Sequence, residues 1–93
     1  MRSIWKFPFD VADTLTLYVP GPDTFKPVFV GMQQGRPTLW AEVDTEAPPG
    51  AFPLLIRGTG HELQGNEDRH VGTFFSGPFV WHVYTAKPTR SPA

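Results

Sequence analysis

The chain has 93 residues, with eight Lys and Arg against nine Asp and Glu and a formal net charge of −1. Such a balance supplies no broad field toward nucleic-acid polymers or an acidic membrane, so any anion binding must be local. The absence of cysteine excludes disulfides, thiolate zinc sites and thiol nucleophiles.

The length predicts one small domain spanning residues 1–86, with a single core and little stability to spare, followed by a disordered tail at 87–93. The N-terminal residues lack the continuous apolar segment and small-residue cleavage site of a secretory signal. No apolar run approaches the roughly 20 residues needed to cross a bilayer. The expectation is a chain without membrane association, in the cytoplasm.

Eleven prolines and nine glycines cut the chain into apolar segments too short for ordinary helices. Residues 4–9 alternate Trp5, Phe7 and Phe9 with Lys6 and Pro8, predicting an aromatic-faced strand at a sheet edge, since Pro8 cannot donate to a ladder. Leu15, Leu17 and Val19 alternate with Thr14, Thr16 and Tyr18 in a second strand. Residues 25–33 and 38–43 read as a hairpin around Gln34-Gly35-Arg36-Pro37. In its second arm Leu39, Ala41 and Val43 form one face and Thr38, Trp40 and Glu42 the other, which takes Trp40 out of the main core.

Residues 45–50 form a proline-rich loop leading into the apolar strand 52–57. The polar stretch 59–70 is the expected mobile surface element, with room for a short helical turn near 62–68. Residues 71–75 and 79–85 close the chain as a hairpin around Ser76-Gly77-Pro78. About seven short strands predict a mainly β fold, a compact antiparallel β-sandwich or small barrel.

The segment Arg57-Gly58-Thr59-Gly60-His61 is the main chemical candidate. Two glycines around a threonine can turn backbone N–H groups inward onto an anion, although the same residues also suit a plain tight turn. A nucleotide-like pocket would combine phosphate contact by the Thr59 and Gly60 backbone, a hydrogen bond from His61, charge from Arg57 and stacking on Trp40. A hydrolase would instead take His61 as base, Asp44 or Glu62 as its orienting group, and Thr59 or Thr73 as nucleophile. Nothing in the spacing fixes that geometry, and no catalytic residue is assigned. His61, His70 and His82 are too irregularly spaced for a zinc site, so neither metal nor cofactor is expected. His82 falls on the strand face opposite Trp81, with Val80 and Tyr84.

Ile4-Trp5-Lys6-Phe7, the stretch Gln34-Gly35-Arg36-Pro37-Thr38-Leu39-Trp40-Ala41-Glu42-Val43-Asp44, Gly58-Thr59-Gly60-His61, Val71-Gly72-Thr73 and Phe79-Val80-Trp81-His82-Val83 occur in that order. Together they resemble small phage and prophage proteins of uncharacterised function. The resemblance implies an accessory protein made inside an infected bacterium, of a kind that often counters host defence. It implies a small homo-oligomer that sequesters a nucleotide-derived signal, ADP-ribose-type or cyclic, without cleaving it. The alternatives are a protein-directed inhibitor of a host enzyme and a structural or assembly component of the phage.

Overall fold

The computed structural model describes residues 1–88 as seven antiparallel strands. These are β1 (Arg2–Pro8), β2 (Thr14–Pro20), β3 (Lys26–Gln33), β4 (Arg36–Asp44), β5 (Pro49–Gly58), β6 (Glu67–Ser76) and β7 (Phe79–Ala86). They form a three-stranded sheet, β1-β4-β3, and a four-stranded sheet, β2-β5-β7-β6. The result is a small mainly-β sandwich, as the short alternating segments predict.

Alternation places the core between the sheets. Leu39, Ala41 and Val43 of β4 are fully buried and belong to one cluster with Val19, Leu54, Ile56, Phe74 and Val83 of the other sheet. Aromatic edges join the parts: Phe7 meets Phe25 at 5.3 Å, Phe25 meets Phe52 at 4.6 Å, and Phe9 meets Phe74 at 5.9 Å between ring centres. Pro8 ends the edge strand β1. Pro49 and Pro53 lie in the half of β5 that only β2 accompanies, because pairing with β7 starts at Leu54. An absent N–H there interrupts no second ladder.

At one corner of the sandwich β6 crosses close to β3. A Cβ on Gly72 would stand 2.7 Å from Val30 Cγ1, so glycine lets the two strands approach.

Three expectations need correction. The β3–β4 turn holds only Gln34 and Gly35, with φ of 52° and 77°, while Arg36 and Pro37 already pair with Gln33 and Met32. Two consecutive positive φ values match the twist of the strands, which a two-residue turn of the opposite hand would splay. Pro49 and Gly50 belong to β5 and not to the preceding loop. No helical turn forms near 62–68, since Glu67 and Asp68 open β6, four residues before the expected strand. Of the predicted tail, Lys87 donates its N–H to Asn66 O at 2.9 Å, and residues 89–93 lie outside the described residues.

Candidate functional site

The segment after β5 folds as a tight turn. His61 N–H donates to Gly58 O at 3.0 Å, Gly60 takes φ of 89°, and Thr59 N–H donates across to Val80 O at 3.1 Å. The Gly58 N–H donates to His61 Nδ1 at 3.2 Å, and this fold-back needs glycine, because a Cβ there would stand 2.8 Å from the imidazole. With Nδ1 accepting, a neutral His61 carries its proton on Nε2. The inward-turned set of amides is therefore not formed. Thr59 and His61 give their N–H groups to carbonyls, and of the proposed phosphate contacts only the Gly60 N–H has no partner among the described residues.

Arg57 is not a free cation. It sits 8% exposed on the outer face of β5, and its guanidinium donates to Glu67 Oε2 at 2.7 Å, Asp13 O at 2.9 Å, Asn66 Oδ1 at 3.2 Å and Ile56 O at 3.2 Å. Glu67 also accepts from the N–H groups of Gln64 at 3.0 Å and Gly65 at 2.9 Å. The Gln64 amide first, with the guanidinium and the Gly65 amide behind it, holds this carboxyl at about 2, well below its ordinary 4.5. The stretch expected to be mobile is thus tied down at its C-terminal end. The depression of about 520 Å³ above Arg57, bounded also by Asp13, Thr14, His61, Glu62, Gln64 and Asn66, has polar walls and a neutralised floor.

Trp40 does not join the other candidates. It leaves the core as expected, but β4 belongs to the three-stranded sheet, and on its outer face Trp40 packs against Phe29 at 5.7 Å. The aromatic walls near the turn come from the other sheet. Trp81 and Phe79 lie 5.8 Å apart with planes 33° from parallel, and Trp81 stands 6.3 Å from the His61 ring. With Gly58, Thr59, His61, Pro78 and Val80 they enclose a cleft of about 380 Å³. Thr59 and His61 therefore reach a common cleft, Arg57 lies in the adjoining depression, and Trp40 lines neither.

Behind Thr59 runs a chain of hydroxyls and imidazoles. Thr59 Oγ1 lies 2.8 Å from His82 Nε2, His82 Nδ1 lies 2.9 Å from Thr73 Oγ1, and Thr73 Oγ1 lies 3.2 Å from His70 Nε2. Both threonines that a hydrolase would use as nucleophiles therefore meet His82 and not His61. Asp44, at the end of β4, binds the Glu46 N–H at 3.2 Å and the N-terminal amine at 3.5 Å, which lowers its pKa, the Glu46 amide contributing most. It orients no imidazole. Period-2 alternation on β7 already places His82 opposite Trp81, and the continuous hairpin register from Ser76–Phe79 sets Thr73 beside it. The irregularity between His70 and Gly72 then brings His70 opposite Tyr84 and within reach of Thr73.

Fold and site define the chain as a small β-sandwich with an aromatic cleft at the tip of its larger sheet. It belongs to the family described as Domain of unknown function (DUF7352), which matches residues 1–93. No curated protein and no solved structure matches it.

Proposed function

We propose that this protein is a non-enzymatic binder of a small ligand with a planar aromatic ring, held in the cleft between Phe79, Trp81 and His61. The observation that carries the reading is the tilted Phe79–Trp81 pair, with Phe79 59% exposed at the mouth of the cleft. A large apolar ring left in water beside a histidine donor and a hydroxyl is the composition of a stacking site. Thr59 and His61 stay in the proposed site, Gly60 lines neither depression, Trp81 and Phe79 take the stacking role first given to Trp40, and the Arg57 side chain serves structure. The resemblance to small phage proteins supports a nucleotide-derived immune signal as the ligand, captured uncleaved in the host cytoplasm.

The test is a thermal-shift screen of the purified protein against ADP-ribose derivatives, cyclic dinucleotides and mononucleotides, with bound ligand recovered by heating and weighed by mass spectrometry. A shift with unchanged ligand supports sequestration. A shift with altered ligand replaces it by an enzyme, and no shift with any compound rejects the reading.

A protein contact is the second reading, favoured by one observation. On the outer face of the three-stranded sheet Ile4 is 61% and Phe29 60% exposed, with Trp40 against Phe29. This face would hold a second copy of the chain or a host enzyme. Sedimentation of the protein and of Phe29→Ser separates the two, because only self-association appears with the protein alone.

A further inference from the structure

A positive charge favours an anionic ligand in the cleft, and among the described residues its lining includes neither Lys nor Arg. The adjoining Arg57 is neutralised by Glu67. We propose that the charge comes from the chain Thr59–His82–Thr73–His70, so that one proton taken up by this chain turns the Thr59 hydroxyl into a donor toward an anionic group in the cleft. The inference rests on reading the cleft as a binding site and adds its ligand chemistry: an aromatic ring joined to a phosphate-type or carboxylate group.

The number of protons in the chain decides which way its hydrogen bonds run. A threonine hydroxyl has one hydrogen to donate, and a neutral imidazole has one donor and one acceptor nitrogen. With both histidines neutral the chain can run in either direction. In one, Thr59 donates to His82 Nε2, His82 Nδ1–H donates to Thr73, and Thr73 donates to His70 Nε2; Thr59 then shows the cleft only lone pairs. In the other all three bonds are reversed.

Protonation removes the choice. A charged His82 donates from both nitrogens, so Thr59 must accept at 2.8 Å and its own hydrogen turns away from His82. Its one acceptor there among the described residues is Val80 O, a long contact at 3.5 Å with which a ligand anion competes well. A charged His70 donates to Thr73 at 3.2 Å, Thr73 then donates to His82 Nδ1, and His82 Nε2–H again donates to Thr59. A proton at either imidazole therefore reaches Thr59 as the same reorientation.

The surroundings leave few competitors. Facing His82 from β5 is Arg57, its register partner, already paired with Glu67. From β6 come Thr73 and His70, and the remaining charged side chains of that strand are Asp68 and Arg69, both exposed. Tyr84 of β7 packs on His70 at 5.2 Å. His61, in the turn, uses Nδ1 to accept from Gly58, and protonating that nitrogen would remove the bond. His82 and His70 bond only to hydroxyls, which can reverse their direction, so a proton placed on either is accommodated without losing a hydrogen bond.

The test compares two probes that share the adenine ring. ADP-ribose carries a pyrophosphate whose charge is constant from about pH 5 to 8, the window in which imidazoles change charge, and adenosine carries none. Binding is measured by Trp fluorescence and calorimetry across that window. ADP-ribose is expected to bind roughly tenfold or more tightly near pH 5.5 than near pH 8, with proton uptake, and adenosine to show no such slope. His82→Gln, whose amide reaches Thr59 without titrating, and Thr59→Val should each flatten the ADP-ribose profile. His61→Asn, which keeps an acceptor for the Gly58 N–H, should weaken both probes alike through its place in the cleft wall while keeping the ratio of ADP-ribose affinities between pH 5.5 and pH 8.

A flat profile in the unmodified protein with both probes bound overturns the proton linkage and leaves the cleft reading standing. A slope retained in His82→Gln and lost in His61→Asn also overturns it. Failure of both probes to bind at any pH rejects this anion site, and the wider ligand screen then decides the cleft itself.

Discussion

Glu67 keeps its carboxylate 5% exposed while accepting from Arg57, Gln64 and Gly65, and the stability of this corner depends on that one charge. Its pKa, about 2 when folded against 4.5 when free, means that the folded chain binds the proton less readily than the unfolded chain. The stabilisation is fully present above about pH 4.5 and is lost as pH falls toward about 2. Thermal melts from pH 6 down to pH 2.5 should therefore show a falling Tm whose slope is smaller in Glu67→Gln. Arg57→Met leaves the buried carboxylate without its cation and should lower Tm by roughly 10 °C or more at pH 7. In the cleft, Phe79 is the cleaner probe, because Trp81 also packs on the core. Phe79→Ala should weaken ligand binding about tenfold or more with little change in Tm, while Trp40→Ala should leave binding unchanged, both read by calorimetry.

At the scale of the elements, turns and close approaches carry information that composition also carries. The Gln34-Gly35 turn asks a glutamine to sit at φ 52°, a conformation that asparagine tolerates better. Gln34→Asn should stabilise the protein by about 0.5 kcal/mol, measured by chemical denaturation. Gly72 makes the opposite point. Alanine there would meet Val30 Cγ1 at 2.7 Å, and Gly72→Ala should cost about 1–3 kcal/mol. Adding Val30→Ala should recover part of that loss, and a double-mutant cycle would measure the coupling. The glycine in Val71-Gly72-Thr73 reads as a motif element in the sequence, but the partner that demands it lies on β3, distant along the chain.

For the molecule as a whole, the period-2 pattern made the fold class legible. Leu39, Ala41 and Val43 stand fully buried on one face of β4, and the apolar run of β5 forms the interior of the other sheet. Leu39→Ala should destabilise the protein by roughly 2–5 kcal/mol in denaturant titration, because the opposing sheet cannot collapse onto the cavity. Less of the site was legible. Alternation takes Trp40 out of the core without saying which sheet holds it, and the glycines of the Gly58–His61 turn announce a turn without saying where its amides bond. The hairpin register alone sets Thr73 beside His82, whereas His70 joins them only through the irregularity between His70 and Gly72, which no local pattern announces.

The sequence alone determined the strands, the inward faces, the absence of thiol chemistry and the tight turn at residues 58–61, since each follows from local stereochemistry and from which side chains avoid water. Only the tertiary structure decided that Arg57 is neutralised by Glu67, that Trp81 and Phe79 and not Trp40 wall the cleft, and that Thr59 stands at the end of an imidazole chain. Those facts depend on strand order and register. Both are set by contacts between residues far apart along the chain, which no local pattern encodes.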